Sequence, residues 1–145
     1  MNASSILTQQ HRACDQRFAA CEAAVRGKDW NTLTTAFAAF SETLERHFTL
    51  EENVLFPAFE EATGIVQGPT TVMRMEHQEM RELLEDMHKA ARRQDRNQFL
   101  DLGETLLILN QQHNMKEENM LYPMFDAHVP DIDSLLQAQH QGETA

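Results

Sequence analysis

Glycine, proline and cysteine are all scarce in this chain, at five, four and two of 145 residues. The cysteines, Cys14 and Cys21, stand seven apart in a segment with helical patterning. A helix would hold them about 10 Å apart, too far for a disulfide. No run of about eighteen apolar residues occurs, which excludes a membrane-spanning helix. The opening MNASSILTQQHR lacks the basic start and apolar stretch of a secretory signal. Free thiols without a signal point to a reducing cytoplasm. Cations are also in deficit, with 12 Lys and Arg against 23 Asp and Glu, a formal charge of -11. That balance argues against nucleic acid, whose binders need clustered cations, and against an anionic membrane surface.

The chain breakers cluster at Gly27, at Gly64 with Gly68-Pro69, and at Pro130, leaving long uninterrupted stretches. Within these stretches the apolar residues recur every three or four positions, and no strand alternation is present. Leu7, His11, Cys14, Phe18, Cys21 and Val25 make one stripe over 4–26. Segment 31–61 carries Leu33, Phe37, Phe40, Leu44, His47, Glu51 and Leu55 in the same way. Pro69 opens a third helix over 70–93, and Asp95 is a cap for a fourth over 97–128. A short helix or polar tail follows Pro130. The expected fold is all-α: an up-down-up-down four-helix bundle in one domain, 1–145, built from hairpins 4–61 and 70–128. The six methionines at 73, 75, 80, 115, 120 and 124 are expected to fill its core.

One pattern is written twice, as HFTLEENVLFPAF from His47 and HNMKEENMLYPMF from His113. A shift of sixty-six residues overlays His47 on His113, Glu51 on Glu117, Glu52 on Glu118 and Pro57 on Pro123. The same shift carries His11 onto His77. Each hairpin therefore supplies one His from its first helix and His-x-x-x-Glu from its second. Four residues apart on a helix is one face, one turn on. His11 and His47 both fall roughly 25 Å from the turn that joins their helices, and so lie level; His77 and His113 do likewise. A kink near Pro57 would bring the two hairpins into register.

A single His or Glu on a core face is more often a hydrogen-bonded core residue than a ligand. Six at one level, in a twofold pattern, reverse that expectation, because buried polar groups need partners. Imidazole and carboxylate donors suit Fe, Mn, Zn or Ni. One carboxylate from each half is placed to bridge two metals, with His11 and His47 serving one ion and His77 and His113 the other. Glu52 and Glu118, about 100° round the helix, are expected behind these ligands or at the surface. Asn53 and Asn119 point elsewhere, and Cys14, one turn from His11, is expected as an inert buried thiol.

The order H … HxxxE … H … HxxxE, with HFTLEENVLFP and HNMKEENMLYP, resembles the hemerythrin family and specifically its HHE cation-binding branch. The resemblance spans His11 to Pro123. It implies a four-helix bundle around a non-haem diiron centre, two iron ions bridged by two carboxylates, with ligands His11, His47, Glu51, His77, His113 and Glu117. Zn or Mn in place of iron is compatible with the same donors. Oxygen carriers of the family keep a fifth His four residues after the third, where this chain has Arg81. Its repeat counterpart is Asp15, and an Asp15–Arg81 ion pair is the expected use of both. Six ligands leave open positions and argue against reversible dioxygen carriage. The expected role is binding or sensing of dioxygen, nitric oxide or peroxide by a monomer or homodimer. The alternatives are a peroxidase- or oxidase-type detoxifying enzyme, a metal-sensing or storage module, and an iron–sulfur repair accessory.

Overall fold

The structure, a computed structural model, describes the backbone of residues 2–144 and the side chains of residues 2–138. Helices α1 (Ala3–Arg26) and α2 (Trp30–Leu50) form the first hairpin. A π-helical turn, Glu51–Leu55, continues α2 into α3 (Phe56–Thr63). The second hairpin pairs α4 (Pro69–Arg92) with α5 (Arg96–Lys116). Another π-turn, Glu117–Leu121, leads into α6 (Tyr122–His128), and α7 (Ile132–Thr144) follows. No strand occurs among the described residues. α1 packs on α2 and α5, and α4 packs on the same two, so the rods close a ring in the order α1, α2, α4, α5.

Local chemistry places the helix ends. The Asp29 and Asp95 side chains accept from the backbone N–H of Thr32 and Gln98, each at 3.1 Å, relieving orphan donors of α2 and α5. Asn2 caps α1 through Ser5 N–H in the same way. Gly64 ends α3 at φ +73°, a left-handed conformation that glycine adopts without Cβ strain.

The core has two apolar clusters with a polar layer between them. Cys14, Phe18, Phe40, Leu44, Phe48, Met80 and Leu106 belong to one cluster. Leu7, Leu50, Leu55, Phe56, Met73, Leu121 and Phe125 belong to the other, where Ile132 and Leu136 of α7 also pack. On every rod the sequence-predicted ligands fall at the changeover between clusters. Methionine usage differs from expectation: Met73 and Met80 are buried, whereas Met75, Met115 and Met120 are 61%, 61% and 64% exposed. Their scatter round the helices is what turns those three to solvent.

The helices expected over 31–61, with a kink near Pro57, and over 97–128 each contain a π-turn that ends just before the aromatic–Pro step. Phe56 N–H reaches back five residues to Glu51 carbonyl, and Tyr122 N–H to Glu117 carbonyl. Pro57 and Pro123 have no N–H to donate and would crowd the preceding turn of a regular helix. The wider π-turn ahead of them meets that constraint. Replacing Asp95 by Ala should lower stability by about 1 kcal/mol in urea unfolding; a loss of under a few tenths would show that the cap is redundant.

Candidate metal centre

All six residues singled out by the repeat meet in the polar layer. His11 and His47 are 4% and 5% exposed, His113 1%, and Glu51, His77 and Glu117 fully buried. The His11 and His47 rings lie 4.8 Å apart, and those of His77 and His113 4.9 Å. Ligand-capable atoms of Glu51, His77, His113 and Glu117 all fall within 4.8 Å of one another, as do those of His11, His47 and Glu117. The sequence predicts two sets bridged by both Glu51 and Glu117; these two groups share Glu117, while Glu51 falls in the His77–His113 group.

Each imidazole is oriented from behind. His11 Nδ1 donates to Glu118 Oε2 at 2.8 Å, and His77 Nδ1 to Glu52 Oε2 at 2.7 Å. His47 Nδ1 donates to Gln10 Oε1 at 2.7 Å, and His113 Nδ1 to Glu76 Oε1 at 2.8 Å. These Nδ1 contacts turn every Nε2 toward the layer. Glu52 and Glu118 thus stand behind the ligand layer, whereas Asn53 and Asn119 are exposed. Gln10 and Glu76 were not singled out in the sequence. They sit one residue before His11 and His77 and obey the same shift, so the repeat carried their signal. His77 is further fixed by stacking on Phe48 at 4.0 Å and beside Phe56 at 5.8 Å.

Arg81 does not pair with Asp15. Its guanidinium forms a two-pronged contact with Glu52, at 2.9 and 3.0 Å, and a second with Glu45, at 2.9 and 3.0 Å. It also lies over the Phe48 ring at 5.4 Å. α4 runs beside α2, which brings Arg81 within reach of those glutamates. Asp15 instead has its pKa raised by burial, against the pull of His11, with the Glu118 charge adding to the rise.

Tyr122 is a further participant that helical periodicity concealed. Its hydroxyl stands 2.8 Å from His11 Nε2, 3.3 Å from His47 Nε2, 2.8 Å from Glu51 Oε2 and 2.9 Å from Glu117 Oε1. In a regular α-helix residues five apart diverge by about 140°, so Tyr122 would leave the Glu117 face. The π-turn, with its five-residue hydrogen bond, stacks the two instead. Its repeat counterpart is Phe56, which has no hydroxyl. The aromatic–Pro step after each EEN was the signal available.

Without a cation the layer is electrostatically costly. Burial raises both carboxylates; His47 and hydrogen bonds then hold Glu51 well below its usual range. Burial and the Glu51 charge push Glu117 up to about 7. Burial alone would lower His113, but Glu117, Glu51 and Glu76 carry it up to about 9. Burial lowers His11 despite Glu118. Burial and the two carboxylates raise Tyr122, which keeps its proton. Burial also lifts the Cys14 thiol to about 12, so it stays inert as expected.

The donor chemistry fits a cation. Glu51 Oε1, His77 Nε2, His113 Nε2 and Glu117 Oε2 are buried with no hydrogen-bond partner. His77 Nε2 approaches Glu51 Oε1 to 3.0 Å, and His113 Nε2 approaches Glu117 Oε1 to 3.2 Å, without hydrogen-bond alignment. Four such atoms on residues whose ligand atoms lie within 4.8 Å of one another suit a metal ion, whose binding would also displace the His113 proton. The model of the hemerythrin HHE cation-binding domain matches residues 2–125. The chain belongs to the hemerythrin family. No curated protein and no solved structure matches it. The hemerythrin assignment and the buried His/Glu layer together make metal binding the chemistry of this site. No described helix is long and apolar enough to cross a membrane.

The Arg81 network sets a test. Glu45 is half exposed, so Glu45→Ala should cost under about 1 kcal/mol in denaturant unfolding. Arg81→Ala also leaves Glu52 without its two-pronged partner, and should cost about 1–2 kcal/mol. Equal losses would show that the Glu52 contact contributes nothing.

Proposed function

We propose that this hemerythrin-family chain holds two metal ions, in the first place iron, and binds or senses a small ligand such as dioxygen, nitric oxide or peroxide. The reading is carried by the four buried donor atoms without hydrogen-bond partners. His77, His113, Glu51 and Glu117 would hold one ion, and His11 and His47 with the same two carboxylates the other. Iron so bound would supply exchangeable coordination positions and a change of oxidation state. The chain's own residues set the conditions. Glu118, Gln10, Glu52 and Glu76 keep the imidazoles in the donor tautomer. Phe48, Phe56 and the two apolar clusters wall the layer from water, which favours small, weakly polar ligands. The charge deficit of the chain suits a cation-holding role in the cytoplasm.

Metal-free protein loaded anaerobically with ferrous iron should retain about two irons per chain by elemental analysis. Its thermal midpoint should rise, since a hundredfold excess over Kd adds about 2.7 kcal/mol to stability. Its absorption spectrum should change when dioxygen or nitric oxide is admitted. The variant His113→Ala should hold no more than about half the iron of the parent, and Glu117→Ala, which removes a carboxylate shared by both positions, less than half. Full retention of metal in both, or an unchanged midpoint on loading, would sink the proposal. Zinc and manganese compete for the same donors, so parallel loading with each distinguishes a selective site from a permissive one.

A further inference from the structure

The repeat that matches the ligands residue by residue fails at the one aromatic position facing the layer. Phe56 and Tyr122 occupy equivalent places after their π-turns, yet only Tyr122 brings an oxygen. That oxygen lies within 3.3 Å of all four donors it faces, His11, His47, Glu51 and Glu117. Metal–donor bonds are about 2.0–2.2 Å long, so an ion cannot sit among those donors until the phenol moves. On the Phe56 side no such group intervenes, and the donors converge without partners. The imidazole supports differ in the same sense. His77 and His113 are both backed by carboxylates, Glu52 and Glu76, whereas His47 is backed by the neutral amide of Gln10. A carboxylate behind an imidazole makes it the stronger donor.

We infer that the two metal positions are unequal and fill in order, His77–His113 first and His11–His47 second, with the Tyr122 hydroxyl standing in for the second ion until it is displaced. The inference rests on the dinuclear reading above. It makes Tyr122 a positioning residue that separates the one-metal and two-metal states. A chain with one ion bound is then a populated species, with Tyr122 closing the other half.

Stepwise titration of the metal-free full chain with zinc, followed by calorimetry under anaerobic conditions, tests this without any redox chemistry. The parent should bind two ions in resolved steps, the first at least about tenfold tighter, as expected for one displaced hydrogen-bonding group. Tyr122→Phe should tighten the second step by about tenfold and leave the first unchanged. Phe56→Tyr, which installs the missing hydroxyl, should weaken the first step by a similar factor. His47→Ala should remove the weak step alone, and His113→Ala the tight one. Two equal steps in the parent would overturn the inference while leaving the dinuclear reading intact. So would a second step weakened in Tyr122→Phe, which would make the phenol a ligand. Absence of zinc binding in the parent would instead remove the dinuclear reading, and this inference with it.

Discussion

Four imidazoles and two carboxylates buried at one level of a helical bundle set the terms for everything around them. Moving such groups out of water is costly unless each finds a partner, and the apolar clusters on either side offer none. The chain responds with a surrounding layer of acceptors. Glu118, Gln10, Glu52 and Glu76 each take one ring proton, and each comes from a neighbouring rod. These contacts tie α1 to α2 and α6's leading turn, and α4 to both α5 and the turn after α2. The polar layer therefore fixes the register of the bundle as well as the ring tautomers. What the acceptors leave unsatisfied are Nε2 of His77 and His113 and one oxygen each of Glu51 and Glu117, which a cation would answer together.

The π-turns are the backbone's part in that arrangement. Each begins at a carboxylate of the layer and ends before the aromatic–Pro step. A regular helix could present His47 and Glu51 on one face, but not also the residue five beyond Glu51. Widening one turn adds that position to the face and accommodates the proline with the same distortion. The EEN–aromatic–Pro pattern is thus a single device written twice.

Much of this was legible in the sequence because it rests on period and repeat. The helices followed from three-to-four spacing, and the common level of the six residues followed from the sixty-six-residue shift and equal distances from the turns. What escaped depends on geometry that period alone does not carry. Tyr122 is invisible to a 3.6-residue count and enters only through the π-turn. Gln10 and Glu76 face across to the partner helix of each hairpin, so their roles depend on interhelical approach. Arg81 was assigned to Asp15 by symmetry, whereas adjacency of α4 to α2 gave it to Glu45 and Glu52. The scatter of the methionines round the helices speaks against a soft-metal site, and it also turns Met75, Met115 and Met120 to solvent and not into the core.

The two halves are alike in donors and unlike in charge. Behind His77 and His113, Glu52 is capped by Arg81 and Glu76 by Lys116. Behind His11, Glu118 has Asp15 as its acidic neighbour, and Asp15 is raised by burial and by Glu118. The side of His77 and His113 is thus buried and nearly balanced in charge, which would suit the ion proposed to arrive first. The side of His11 and His47 carries surplus negative charge beyond the ligands. Two divalent ions a few ångströms apart repel strongly in a medium of low dielectric constant. A second ion therefore needs more than donor atoms; it needs a field that offsets the first. If two ions fill the layer in the proposed order, Glu118 and Asp15 would supply that field on the side where Tyr122 gives way, so the asymmetry that delays the second ion would also retain it.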